Sequence, residues 1–106
     1  MIAKERAFLP HGGRGGTSYA TSAFMIGKLR AGDIWLLGRH KLAGVEVRGR
    51  ADLSAERVTG VGLRLNADSR FRRHVDIVGW ADDKAGRKLQ AQKLAHLSRV
   101  HLAPQA

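Results

Sequence analysis

Residues 73–97 read Arg-His-Val-Asp-Ile-Val-Gly-Trp-Ala-Asp-Asp-Lys-Ala-Gly-Arg-Lys-Leu-Gln-Ala-Gln-Lys-Leu-Ala-His-Leu, and the hydrophobic period changes inside them. Before Gly79 the period is two. Arg73, Val75 and Ile77 fall on one side of an extended chain, and His74, Asp76 and Val78 on the other, as in a half-buried strand. After Trp80 the strand signal stops. Asp82-Asp83 supplies an N-cap and first-turn negative charge, and Lys84 to Leu97 is rich in helix formers. The spacing predicts a helix over Asp82–Leu97, with Leu89, Leu94 and Leu97 in one broad sector that also takes in Lys93. Gly86 is expected to cost that helix about 1 kcal/mol relative to alanine.

Upstream, Val45-Glu46-Val47-Arg48 alternates apolar with charged, and Thr59, Val61, Leu63 and Leu65 share a face of a second strand. Asn66-Ala67-Asp68-Ser69 has turn chemistry, and Asp52 to Glu56 reads as a turn or as a single helical turn capped by Asp52. Three strands on short connections predict an antiparallel meander. Thr17 to Ile26 reads as a further strand, Gly27 to Gly32 as a turn and Asp33 to Gly38 as a short buried strand. Downstream, Arg99-Val100-His101-Leu102 alternates again and is expected to return as a final strand.

The fold class that follows is α+β: a single domain over residues 17–106, with an antiparallel sheet of about four to six strands and one C-terminal helix packed on it. Residues 1–16 read as a flexible basic arm, because Pro10 and the run His11-Gly12-Gly13-Arg14-Gly15-Gly16 offer little to bury. Phe8 and Leu9 are the residues able to dock it.

Composition narrows the partner more than the chemistry. Nineteen Lys and Arg face nine Asp and Glu over 106 residues, a formal net charge of +10. A small protein so charged is drawn to polyanions. Base composition offers a plainer account of part of this, since Arg, Ala and Gly all have GC-rich codons, as in a GC-rich bacterium or mobile element. The absence of cysteine excludes disulfides and thiolate catalysis. No apolar run approaches the length of a membrane span, so no membrane partner is expected, and a cytoplasmic location is.

The densest basic segment is Arg70-Phe71-Arg72-Arg73-His74. Arginine forks match phosphate geometry, and an aromatic ring among them can stack on an unpaired base. The plainer reading makes Phe71 a core residue flanked by solvated arginines. A second cluster runs through Lys28, Arg30, Arg39, Lys41, Arg48 and Arg50. If neighbouring strands align Arg48 and Arg50 with Arg64 and Arg72, the sheet carries a basic face that tracks a phosphate backbone. Lys84, Arg87, Lys88 and Lys93 of the helix read as a diffuse positive surface. Asp76, if buried, calls for Arg64 as its partner, and Trp35 and Trp80 read as core or rim aromatics.

The leading expectation is a small, non-catalytic protein that contacts nucleic-acid phosphates, DNA or RNA, through an Arg-rich sheet face. An adaptor or inhibitor that docks an acidic protein partner is the alternative from another class, and a homodimer through a strand edge is compatible with both. An enzyme reading rests on His40 or His74 beside arginines, the equipment of a metal-free, toxin-like ribonuclease. The Asp82-x-Lys84 spacing found in metal-dependent nucleases is accounted for by the helix cap, and His96 and His101 make a poor zinc pair. No cofactor and no metal are expected.

Overall fold

The computed structural model describes residues 3–12, 19–27, 29–41, 44, 47–67 and 73–103, of which 31 and 39–41 are described by their backbone. In chain order they form a short 3-10 helix (Glu5–Ala7), β1 (Thr21–Phe24), α1 (Ala31–Lys41), β2 (Gly49–Asp52), α2 (Ala55–Gly60), β3 (Arg64–Ala67), β4 (His74–Val78), α3 (Lys84–Leu97) and β5 (Arg99–Leu102). β4 is the central strand of an antiparallel three-stranded sheet of order β1-β4-β3, and β2 pairs antiparallel with β5 in a second sheet. The fold is α+β, with the C-terminal helix closing the core. No helix among the described residues is long and apolar enough to cross a membrane.

The change of period at Gly79 is what builds this core. Val75 and Ile77 alternate inward on β4, each 4% exposed, while His74, Asp76 and Val78 stay half-buried on the other face. The backbone then turns at Gly79 with φ 90°, a left-handed conformation that favours glycine. Trp80 folds back into the core, its indole N–H donating to the Ile77 carbonyl at 2.8 Å. Asp83 caps α3 by accepting from the Gly86 N–H at 2.9 Å. The helix presents Ala91, Leu94 and Ala95 to Val58, Leu63, Ile77, Trp80 and Phe8. Its Leu89, expected on the same face, is 53% exposed.

Phe8 brings the N-terminal segment into that core. Its carbonyl accepts from the Thr21 hydroxyl at 2.7 Å, and His11 and Ala20 exchange two backbone hydrogen bonds of 2.9 Å each. Of the arm expected over 1–16, residues 3–12 are therefore strapped between β1 and α3, while 1, 2 and 13–16 lie outside the described residues.

Several elements differ from the sequence reading. The run Asp33 to Gly38 is helical, inside α1, and not a buried strand. A short apolar run fits either state, and here the helix runs on past it through residues 39–41, leaving Ile34 and Leu37 half-buried and Leu36 57% exposed. Of the strand expected over Thr17–Ile26, Thr21–Phe24 is extended; 17 and 18 lie outside the described residues. Thr59 and Gly60 end α2 instead of beginning a strand, because Ser54 caps this helix through the Arg57 N–H at 3.3 Å. Asp52, the expected cap, belongs to β2. The meander is also revised: β3 and β4 form its hairpin, but the strand near Arg48 begins at Gly49 and pairs with β5. Val45, Glu46, Asp68 and Ser69 lie outside the described residues, whereas Asn66 and Ala67, expected in a turn, continue β3.

Gly86 reverses its expectation. A Cβ there would sit 2.7 Å from both the Ala81 Cβ and the Asp83 Oδ1 that neighbours the capping oxygen. Overpacking of that kind costs about 1–3 kcal/mol, against the ~1 kcal/mol that helix propensity would return. Gly86→Ala is therefore expected to lower the urea midpoint of unfolding; a raised midpoint would show that the N-terminus of α3 yields freely.

Candidate functional site

Charge pairing decides which basic residues are available to a partner. Arg50, on β2, is engaged: its Nε lies 3.2 Å from the Asp52 carboxylate, and its guanidinium carbon lies 5.0 Å from the centroid of the Trp35 ring on α1. His101, directly opposite Arg50 on β5, approaches the same carboxylate at 3.5 Å. Arg48 is exposed just before β2, and its carbonyl accepts from the Ala103 N–H at 2.8 Å. Arg64 is exposed on β3, beside Val78 in register, with its guanidinium against the turn at Gly79. Arg48 and Arg50 thus belong to one sheet and Arg64 to the other, so the expected alignment of these arginines across one sheet does not form. Arg70, Phe71 and Arg72 lie outside the described residues, as do the side chains of Arg39, His40 and Lys41 at the end of α1.

Arg73 and His74 are held by β1. Arg73 takes a left-handed φ of 67°, its carbonyl accepts from the Met25 N–H at 2.7 Å, and its Nη1 reaches back to the Met25 carbonyl at 3.4 Å. The His74 Nε2 meets the Ser22 hydroxyl at 2.6 Å and the Asp76 carboxylate at 3.5 Å. The register explains this grouping, since Ser22 lies opposite Asp76 and Phe24 opposite His74. The Phe24 and His74 rings meet edge-on at 5.9 Å between centroids. A Ser–His contact is half of a nucleophilic dyad, but here the carboxylate and the hydroxyl share one imidazole nitrogen. In a relay the carboxylate orients the ring from the opposite nitrogen. The group reads as a cross-strand polar cluster. Asp76 pairs with His74 and not with Arg64, which lies two residues along β3 from Asn66, the register partner of Asp76. Among the described residues no group of three or more His, Asp or Glu is placed to hold a metal ion.

A different set of cations converges. A cleft of about 480 Å³ opens between the 3-10 helix and the N-terminal half of α3. Arg6, Lys84, Arg87 and Lys88 line it with a single carboxylate, Glu5, and its apolar wall is Leu9, Pro10 and Tyr19. Arg87 is fixed there. Its guanidinium carbon is 4.0 Å from the Tyr19 ring centroid, and Nη1 donates to the carbonyls of Ala81 at 3.0 Å and Asp82 at 2.5 Å. None of the four cations forms an ion pair with a carboxylate among the described residues. Lys84 opens α3 at the positive end of the helix dipole, where the Asp83 cap is the acid that offsets it.

The sequence reading scattered these helix cations around the axis, and the structure corrects that for three of the four. Lys84, Arg87 and Lys88 are spaced i, i+3, i+4 and run directly into Ala91, so the stripe that enters the core at Ala91 and Ala95 is basic before it gets there. That spacing was available as a signal. Arg6 and Tyr19, distant in sequence, carried none. No protein-family model, curated protein or solved structure matches the chain.

Unpaired like charges at a helix N-terminus are a standing cost to the fold. Lys88→Glu is expected to raise stability by about 0.5 kcal/mol at low ionic strength by replacing the i,i+4 repulsion from Lys84 with attraction. The gain should vanish near 1 M salt, where the Debye length is about 3 Å. Urea unfolding at the two salt concentrations measures it, and an unchanged low-salt midpoint counts against mutual repulsion in the cleft.

Proposed function

We propose that the protein is a small, non-catalytic nucleic-acid-binding protein of the cytoplasm that grips phosphate groups. The observation that carries this reading is the convergence of Arg6, Lys84, Arg87 and Lys88 on one cleft against the single carboxylate of Glu5. Cations that form no ion pair with a carboxylate among the described residues are available to a polyanion, and the counterions they release on binding favour the complex. The net charge of +10 supplies the long-range attraction, and exposed Arg64 and Arg99 extend it beyond the cleft. The sequence cluster of Arg70, Arg72 and Arg73 belongs to the same reading as a second contact region. Arg50 does not, because Asp52 and Trp35 already occupy it.

Fluorescence anisotropy with labelled DNA and RNA oligonucleotides tests the reading. About four phosphate contacts imply a log–log salt slope near −3, hence a loss of affinity on the order of 50-fold between about 50 and 200 mM salt. Replacing Arg6, Lys84 and Lys88 with glutamine should flatten the slope by about 2. Alanine at Arg70, Arg72 and Arg73 should weaken binding further. The reading is overturned if no DNA or RNA binds at about 50 mM salt, or if the protein is recovered from cells with a stoichiometric, nuclease-resistant protein partner in place of nucleic acid.

A further inference from the structure

The cleft is more than a patch of charge, and its other wall says what enters it. We propose that the cleft between the 3-10 helix and α3 holds one unpaired nucleotide of a single strand, with its base against the Tyr19–Arg87 stack and its phosphates among Arg6, Lys84 and Lys88. This rests on the nucleic-acid reading above and adds to it a strand preference and a base contact.

Three features favour a base over a bare anion. Leu9, Pro10 and Tyr19 give the cleft an apolar and aromatic wall that a phosphate or a carboxylate side chain would leave unused. Arg87 lies at stacking distance from Tyr19, and two backbone carbonyls hold its Nη1. Its Nε and Nη2 donors make no hydrogen bond among the described residues. A guanidinium held in this way is a platform on which an unpaired base stacks, with spare donors for the base edge or the adjoining phosphate. The third feature is size. A cleft of about 480 Å³ suits a single ligand unit, whereas a duplex keeps its base faces covered and offers such a cleft only its phosphates.

Polarity within the cleft follows from its two sides. Glu5 stands on the 3-10 helix next to Arg6, and its Oε1 is approached by the Gln92 amide at 3.5 Å, so that wall carries one charge of each sign. Lys84 and Lys88 lie one turn apart on α3, so the sugar–phosphate chain runs along the helix side.

The test compares labelled strands of about 12 nucleotides by anisotropy: single-stranded DNA and RNA, the matching duplex, and an abasic strand carrying the same number of phosphates. Wild-type protein should bind the base-bearing single strand at least tenfold more tightly than the abasic strand, and more tightly than the duplex. Either sugar in the favoured strand supports the inference. Tyr19→Ala should lose at least fivefold for the base-bearing strand and nothing for the abasic one, while Tyr19→Phe retains the preference. Lys84→Gln/Lys88→Gln should weaken all strands alike. Equal wild-type affinity for base-bearing, abasic and duplex ligands overturns the base contact but leaves phosphate binding standing. So does a folded Tyr19→Ala variant with its preference intact. Failure of every ligand to bind overturns both readings. The wild-type comparison needs no variant, so an unfolded Tyr19→Ala protein does not rescue the idea.

Discussion

Ala91 and Ala95 present so little side chain that the N-terminal segment can lie directly on α3, and much of the described structure depends on that close approach. Both alanines are buried, at 0% and 5% exposure, and Phe8 packs into the same core. A longer side chain at either position would have to find room in a core that already holds Phe8, Trp80 and Leu94. The contact is then relayed. The Phe8 carbonyl takes the Thr21 hydroxyl, Thr21 lies opposite Ile77 in the register of β1 with β4, and Ile77 packs with Trp80 and Leu94 in the core. One helix stripe therefore sets the position of the arm, of the edge strand β1 and of the central strand.

The same stripe makes the cleft. Going toward the N-terminus of α3, Ala91 is preceded by Lys88, Arg87 and Lys84 at helical spacing, so the face that binds the arm becomes basic where the core ends. There the arm supplies Arg6, Leu9 and Pro10, and the chain just before β1 supplies Tyr19. The apolar and charged walls of the cleft are a continuation of the packing that buries Phe8, which ties the shape of the site to the stability of the core.

What the sequence made legible follows from the range of the forces involved. The alternation of Val75 and Ile77, the cap at Asp83 and the helix to Leu97 are encoded within a few residues, and all were readable. Asp33 to Gly38 was misread because contiguous Ile, Trp and Leu carry no period to separate helix from strand. Strand pairing was misjudged for the same kind of reason: alternation near Arg48 identifies an extended chain but not its neighbour, and β2 chose β5 over β3. The site was half legible. Lys84, Arg87 and Lys88 shared a face by spacing alone, while Arg6 and Tyr19 reach them only through the burial of Phe8.

The distribution of carboxylates sharpens what the net charge means. Asp52 is occupied by Arg50 and His101, Asp76 by His74, and Asp83 by the N–H of Gly86. These acids serve local structure, and none forms an ion pair with Arg6, Lys84, Arg87 or Lys88 among the described residues, although Asp83 caps the helix that carries three of them. A surplus spread evenly by codon usage would leave exposed charges scattered and mobile. Here one arginine of the surplus is immobilised by a tyrosine and two carbonyls, with three further cations around it and an apolar wall opposite. Fixing a long, rotamer-rich side chain costs entropy that no ion pair among the described residues offsets. Arg87 is thus ordered before any partner arrives, which lowers the ordering cost of binding a ligand there.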